Sequence, residues 1–263
     1  MANPQFAIEV PFRIKENYPD ILKKYWGECI SNPITLFEKA QEKALEVCAD
    51  YVSFYFNIDD LSEIDECILI AQEISKKSKI PLIIKGSSNK ALNGELFSKI
   101  AKYLPKDCII AHGQDTNYTQ VVKATLGHKI VLRTPIDINL TKELNILSID
   151  EGVRAEDIII DPDMGCVGYG LDYGFSIIER IKEAAKKGDK MLDMPIIVFV
   201  GEESYKAKEA KSADFKASWG DLKTRSLSWE ISTTVSLLCA GADIAVVWNP
   251  ESVVAIKKMW GDN

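Results

Sequence analysis

The segment Ile158-Ile-Ile-Asp-Pro-Asp-Met-Gly-Cys-Val-Gly-Tyr-Gly170 carries the clearest structural signal in the sequence. Its three isoleucines predict a short strand, because a continuous apolar run is typical of a parallel sheet covered on both faces by helices. Asp161 and Pro162 end this strand, and a glycine-rich loop then leads into a segment with helical spacing. Polar residues in such a place lie where α/β proteins bind ligands, although Asp-Pro can also serve only to end the strand and cap the helix. Both interpretations stay open.

The same unit of apolar strand, polar loop and amphipathic helix recurs on both sides of this segment. Eight strands are predicted, near residues 6, 52, 82, 109, 130, 158, 196 and 244. Their alternation with helices predicts a (β/α)8 TIM barrel that forms a single domain over residues 1–263. Residues 1–32 are predicted to be an irregular lead-in that contains the first strand. A doubly wound open sheet is the competing architecture, but the strands are evenly spaced and no G-x-G-x-x-G follows the first one.

Composition excludes several classes of partner. The 263 residues are 46% hydrophobic and carry a net charge of −7, whereas a nucleic-acid-binding face is basic. No run of 18 apolar residues predicts a membrane span, and the N-terminus has no signal-peptide pattern, so we expect a cytoplasmic protein without membrane or nucleic-acid partners. The six cysteines include no C-x-x-C pair, and no iron–sulfur cluster or metal is therefore predicted on this chain. Cys166, in the glycine loop, is the thiol that could be exposed and reactive.

A barrel places its ligands at the carboxyl ends of the strands. No catalytic residue is predicted there, since neither His112 nor His128 has a Ser or Cys partner in a recognisable motif. The predicted cofactor-binding residues follow the strands: Ser87, Gln114, Asn117, Thr134, Asp137, Asp161, Asp163, Met164, Gly165, Glu202, Trp248 and Asn249.

Residues 202–225 depart from the repeat by separating the seventh strand from its helix. Long segments without secondary structure in a compact barrel usually serve as lids, as docking surfaces or as mobile loops. Trp219 lies among polar residues of this segment. It is predicted either to anchor a partner or ligand, or to pack back on the barrel.

The sequence resembles the small subunit of the corrinoid iron–sulfur protein, whose archaeal counterpart is the delta subunit of the acetyl-CoA decarbonylase/synthase complex. The resemblance is close over residues 128–258 and looser over 33–127. It is carried by His128-Lys129, Thr134–Asn139, Glu143–Leu147, Ile160-Asp-Pro162, Gly168-Tyr-Gly170, Glu179–Ile181, Gly188–Leu192, Pro195–Ile197, Lys206–Ala210, Trp219-Gly220, Trp229-Glu230 and Ala240–Asp243.

The resemblance implies a non-catalytic subunit of a methyl carrier in the reductive acetyl-CoA (Wood–Ljungdahl) pathway. It implies a heterodimer whose corrinoid iron–sulfur protein large subunit holds the cluster and most of the cobalamin (corrinoid) site, while this barrel covers the cofactor. A methyl-pterin methyltransferase would supply the methyl group and acetyl-CoA synthase would receive it. The sequence departs from the family pattern at Glu202-Glu203, where more neutral residues are usual, at Trp248-Asn249-Pro250, where Arg-His-Pro is usual, and in lacking an N-terminal extension.

Two alternatives stay open at this point. The chain could be a stand-alone barrel methyltransferase that holds a methyl-pterin through Asn57, Asp137 and Asp161. It could also be a paralogue that scaffolds an assembly without contacting a corrinoid, which the altered residues Glu202, Trp248 and Asn249 favour.

Overall fold

Eight parallel strands form the barrel in a computed structural model that describes residues 3–261. They pair in the order β6-β5-β4-β3-β2-β1-β8-β7, and a parallel bridge between Ile160 and Ile196 joins the two ends. The predicted TIM barrel is confirmed; residues 1–2 and 262–263 of the predicted domain lie outside the described residues. The strands are β1 (Gln5–Pro11), β2 (Tyr51–Tyr55), β3 (Leu82–Lys85), β4 (Ile109–Gly113), β5 (Lys129–Arg133), β6 (Ile158–Asp161), β7 (Ile197–Val198) and β8 (Ile244–Val247).

Helices connect the strands and pack their apolar faces against the outside of the barrel. Several begin at a side-chain cap, as α2 does where Asn32 accepts hydrogen bonds from two backbone N–H groups. The helices are α1 (Asp20–Trp26), α2 (Pro33–Glu46), α3 (Ile64–Lys77), α4 (Asn93–Ile100), α5 (Tyr118–Thr125), α6 (Ile138–Asp150), α7 (Leu171–Lys186), α8 (Val200–Ser204), α9 (Lys208–Lys211), α10 (Leu222–Ala240) and α11 (Pro250–Trp260).

The barrel interior has two chemically different layers, because alternate residues of a strand point to the same side. The lower layer is apolar and includes Ala7, Ile83, Val131 and Ile159, all buried. Two residues further along each of these strands, the same side carries a charged group. The resulting upper layer contains Glu9, Lys85, Arg133 and Asp161. Charged side chains thus fill the carboxyl end of the barrel, the end where barrel proteins bind ligands.

The N-terminal lead-in is more regular than predicted. Asp20–Trp26 forms α1 where residues 11–32 were expected to be irregular, and Leu22 and Trp26 are buried in the core. These two core contacts, rather than helix propensity, hold a helix of only 7 residues.

The segment 202–225 is folded, so the prediction of a long structureless segment is wrong. It contains most of α8, all of α9 and a 3₁₀ turn at Ala217–Trp219, and α10 begins at Leu222. Strand β7 is correspondingly short, because the chain becomes helical at Val200. Trp219 is 50% exposed, and its ring lies 5.4 Å from that of Phe215, so it packs within the segment and also faces solvent.

Arg225 holds this segment together from the first turns of α10. Its guanidinium is buried and donates to three backbone carbonyls, those of Glu209 (2.6 Å), Ser212 (2.6 Å) and Gly220 (2.8 Å). Planar donors in a fixed fork suit this arrangement better than an ammonium would.

We expect Arg225→Ala to loosen the segment locally. Losing hydrogen bonds from a buried charged donor costs about 2 kcal/mol, so amide exchange between residues 205 and 221 should accelerate roughly thirtyfold. Hydrogen-exchange mass spectrometry measures this. Lys223→Ala, which removes an exposed lysine from the same helix, is the control. Unchanged exchange in the Arg225 variant would show that other contacts order the segment.

Candidate functional site

Lys85 lies at the centre of the charged layer, on the last residue of β3. Its Nζ is 2.6 Å from Oε2 of Glu202 and 3.1 Å from Oε1 of Glu9. Glu9 also accepts hydrogen bonds from Ser53 Oγ (2.8 Å) and Trp248 Nε1 (2.9 Å). One buried ammonium thus links the first strand to α8, the helix that follows β7.

The surroundings keep this lysine charged. Burial works to lower the pKa of Lys85, but the carboxylates of Glu202 and Glu9 outweigh it and raise the pKa. The same pairing acts in the opposite direction on Glu202. Burial alone would raise the pKa of Glu202, but the positive charges of Lys85 and Arg133 outweigh burial and hold this pKa well below its ordinary value. A lysine in this state is a poor nucleophile and a poor base.

Asp161, the carboxylate of the central segment, is also paired. Its Oδ2 accepts a hydrogen bond from Nε of Arg133 at 2.7 Å. Burial alone would raise the pKa of Asp161, but the positive charge of Arg133 outweighs burial and lowers this pKa to about 2. Nε2 of His112 lies 3.1 Å from the same oxygen, in poor alignment for a hydrogen bond. Burial lowers the pKa of His112 to about 4, so the ring is neutral at neutral pH.

Helix α8 covers part of the barrel end and contacts Trp248, which follows β8. A Cβ added to Gly201 would lie 2.5 Å from Cδ1 of Trp248, so this position requires glycine. The ring of Tyr205 stacks on Trp248 with centroids 5.7 Å apart, and Tyr18 contacts the same indole at 5.5 Å. The two departures from the family pattern, after β7 and after β8, therefore meet in one place.

Five of the predicted site residues have structural roles in the loops. Ser87 donates to a backbone carbonyl at 2.7 Å, and Thr134 bonds to a threonine hydroxyl of α6 at 2.6 Å. Asn117 accepts from a backbone N–H of its own loop at 2.8 Å. Asp137 and Asn249 cap α6 and α11 by accepting from backbone N–H groups. The same oxygen that could bind a ligand is used here to begin a helix.

The glycine loop is packed rather than open. Met164 is buried, and a Cβ on Gly165 would lie 2.0 Å from the carbonyl oxygen of Tyr169, so the backbone itself fills the space. Cys166 is 2% exposed and burial raises the pKa of its thiol to about 11. The interpretation of Cys166 as an exposed, reactive thiol is wrong.

The loops after β4, β5 and β6 present several residues that remain accessible. Gln114, Asp137 and Asp163 are at least partly exposed there. Ile136, between β5 and α6, is 38% exposed and has φ 50°, and Asp163 has φ 54°. A β-branched residue in the left-handed region is strained, and such strain is concentrated at functional sites. The sequence alone did not indicate Ile136.

A cavity of about 320 Å³ opens beside the charged layer, between α8 and the residues that follow β1. Within residues 3–261, no three His, Cys, Asp or Glu side chains converge to form a metal site. In the same range no helix has both the length and the apolarity to cross a bilayer. The cavity lining includes Arg13, Lys15, Tyr18, Tyr55, Glu202, Tyr205, Lys206, Lys211 and Trp248.

The sequence interpretation missed Glu9, Lys85 and Arg133. A signal was available, because each is a charged residue in or at the end of an apolar strand, where a charge has to be paired or face a site. Asp161 was identified, but as an accessible ligand rather than as the partner of Arg133.

The curated proteins that resemble this chain include delta subunits from several archaea. The delta subunit of the acetyl-CoA decarbonylase/synthase complex of Archaeoglobus fulgidus is 28% identical over 270 residues, covering 98% of this chain and 59% of the relative. The delta subunit of Methanopyrus kandleri is 31% identical over 197 residues, covering 73% of this chain and 48% of the relative. The chain thus spans about half to three-fifths of the length of these relatives.

Solved structures with the same fold include dihydropteroate synthases. A Yersinia pestis enzyme in a sulfonamide drug complex gives a TM-score of 0.68 at 12% identity, with 100% of this chain and 96% of that chain covered. A Xanthomonas albilineans enzyme in complex with 7,8-dihydropteroate gives 0.64 at 12% identity, covering 99% and 93%. At this identity the likeness shows the barrel fold alone.

A protein-family model also matches this chain and shows which family it belongs to. The model described as CO dehydrogenase/acetyl-CoA synthase delta subunit matches residues 6–248, a range that includes all eight strands except Gln5, the first residue of β1. This agrees with the resemblance seen in the sequence and with the curated relatives. The chain belongs to the CO dehydrogenase/acetyl-CoA synthase delta subunit family.

Proposed function

We propose that this chain is the barrel subunit of a cytoplasmic methyl carrier and that its strand-end face covers the cobalamin of a larger partner. The partner would be the corrinoid iron–sulfur protein large subunit, placed between a methyl-pterin methyltransferase and acetyl-CoA synthase. Family membership supports the proposal, since the relatives are subunits of the acetyl-CoA decarbonylase/synthase complex. When bound, the cofactor supplies the methyl-transfer chemistry through its cobalt.

The observation that carries the proposal is the internal pairing of the charged layer. Lys85 is held by two carboxylates, Asp161 by Arg133, and His112 is neutral. A face whose charged groups are already paired can cover a cofactor and shield it from water, but it offers no group that is ready to transfer a proton. In a cover that excludes water, buried charged groups such as Lys85 and Asp161 have to be paired within the protein.

Ile136 is the best candidate contact to a corrinoid. Its side chain is exposed, and its N–H donates to the carbonyls of Thr134 (2.9 Å) and Pro162 (3.0 Å), which fixes the loop. A rigid apolar group on a polar rim suits the edge of a large macrocycle. Gln114, Asp163 and Gly165 would border the same contact, and the buried members of the predicted set would hold the loops in place.

The test is co-expression with the large subunit and purification of the complex. The pair should elute together with a corrinoid absorption band, and Ile136→Asn should weaken association about tenfold. Asparagine tolerates a positive φ, so this variant should fold at least as well as the natural chain. Leu126→Asn is the matched control, since Leu126 is 53% exposed and precedes β5 at the opposite end of the barrel.

Three outcomes separate the hypotheses. A chain that elutes alone from every such mixture contradicts the corrinoid role. A stable complex without a corrinoid band supports a scaffolding paralogue instead. Equal association of the Ile136 and Leu126 variants would place the contact elsewhere.

The stand-alone pterin-binding alternative has less support. Of the three side chains suggested for it, Asp161 is paired with Arg133 and Asp137 caps α6. Asn57 exchanges two hydrogen bonds with the backbone of Arg13, at 2.8 and 2.7 Å. A pterin would have to break these bonds before it could form its own.

A further inference from the structure

We propose that the 320 Å³ cavity between α8 and the residues after β1 binds a small planar anion, a conjugated ring that bears a carboxylate. The site is formed by this chain alone, so the proposal does not depend on a corrinoid partner. Its volume is at the lower end of small-molecule sites, which fits one ring or two fused rings.

Charge is the first argument. The lining carries four cations, Arg13, Lys15, Lys206 and Lys211, and one carboxylate, Glu202. The whole chain has a net charge of −7, so this local excess of positive charge runs against the composition. The carboxylate of Glu202 offsets only part of this positive charge, because Glu202 also pairs with the buried Lys85 at 2.6 Å. A concave positive surface attracts and concentrates anions.

Glu202 also pairs with Lys206, at 3.2 Å, and the other competing carboxylates lie outside the cavity lining. The pairs are Arg13 with Glu63 and Glu66, Lys15 with Asp59, and Lys206 with Glu203. Most of these groups are substantially exposed, and ion pairs of this kind contribute little free energy. A bound anion can therefore displace them at small cost. Lys211 forms no ion pair with any residue in the described range 3–261, and its charge is free to meet a ligand.

Aromatic side chains provide the second argument. Trp248 is held in orientation by its hydrogen bond to Glu9, and Tyr205 stacks on it, so the lining includes a rigid aromatic surface. Stacking on such a surface favours a planar ligand.

The test uses isothermal titration calorimetry with naphthalene-2-carboxylate and its neutral amide as probes on the purified chain. The carboxylate should bind about tenfold more tightly than the amide, and its affinity should fall as ionic strength rises. Lys211→Gln should weaken carboxylate binding about threefold and leave amide binding unchanged. Lys216→Gln, which removes an exposed lysine of the same segment that does not line the cavity, is the control.

Equal affinity for the two probes would overturn the proposal, as would the absence of binding by either. Identical behaviour of the Lys211 and Lys216 variants would also overturn it. None of these results would affect the test for a corrinoid partner, because that test measures association with a second subunit.

Discussion

Replacing Lys85 by methionine should lower the free energy of unfolding by about 3–5 kcal/mol, the cost of breaking a buried ion pair from one side. Methionine fills similar space but leaves the carboxylates of Glu9 and Glu202 without their shared cation. Glu9 is 1% exposed and cannot regain water in the folded state. Urea denaturation followed by circular dichroism measures the loss.

Two further variants make the result specific. Lys76→Met removes an exposed lysine whose partner is three residues away, and it should change stability by less than about 0.5 kcal/mol. Adding Glu9→Gln to the Lys85 variant should restore part of the loss, because one buried charge disappears. A Lys85 variant as stable as the natural chain would show that the two carboxylates become protonated or hydrated without cost.

The second large effect concerns the pH dependence of stability and depends on Glu230. This carboxyl on α10 is fully buried and accepts from the backbone N–H groups of Trp248 (2.7 Å) and Asn249 (3.2 Å) and from Ser252 Oγ. Burial raises its pKa from 4.5 to about 7, although these hydrogen bonds oppose the shift. The group holds the loop after β8, including Trp248, in place.

The direction of the effect follows from the two pKa values. Below pH 4.5 the carboxyl is protonated in both the folded and the unfolded chain. Between pH 4.5 and about 7 the unfolded chain ionises first, so the contribution of Glu230 to stability falls as pH rises, by about 3 kcal/mol over this window.

Glu230→Gln should remove that part of the pH dependence, whatever its effect on stability at a single pH. Urea denaturation at a series of pH values gives the two profiles. Glu38→Gln, at an exposed carboxylate, is the control and should retain the natural profile. Parallel profiles for the natural chain and the Glu230 variant would mean that this carboxyl titrates normally.

The barrel could be predicted from the sequence because its strands are short apolar runs at even spacing. Ile158–Asp161 forms β6 as its isoleucines indicated. The charged residues in or at the ends of apolar strands indicated a site or a set of ion pairs, but their arrangement in one layer could not be predicted, because strands buried on both faces do not reveal which residues point inward. Lys85 and Arg133 became interior residues only once the strand register was known.

The site was predicted less well than the fold, for two physical reasons. Asn and Asp oxygens after a strand serve equally as ligands or as helix caps, and Asp137 and Asn249 proved to be caps. The short helices α8 and α9 have 5 and 4 residues, too few to show a periodic pattern. Arg225 holds α9 and the residues after it through carbonyls 5 to 16 positions earlier in the chain, and no sequence pattern marks these partners.

The contact between Gly201 and Trp248 has a consequence for how this lineage can vary. A Cβ at position 201 would lie 2.5 Å from Cδ1 of the indole and 2.7 Å from the backbone nitrogen of residue 248, so no side chain fits at 201 while the loop after β8 stays in place. Replacing the tryptophan by a smaller residue removes only the first of these two contacts, so it does not by itself make room at 201. Glycine is therefore expected at 201 in any relative that keeps this backbone arrangement, whichever residue it carries 47 positions later.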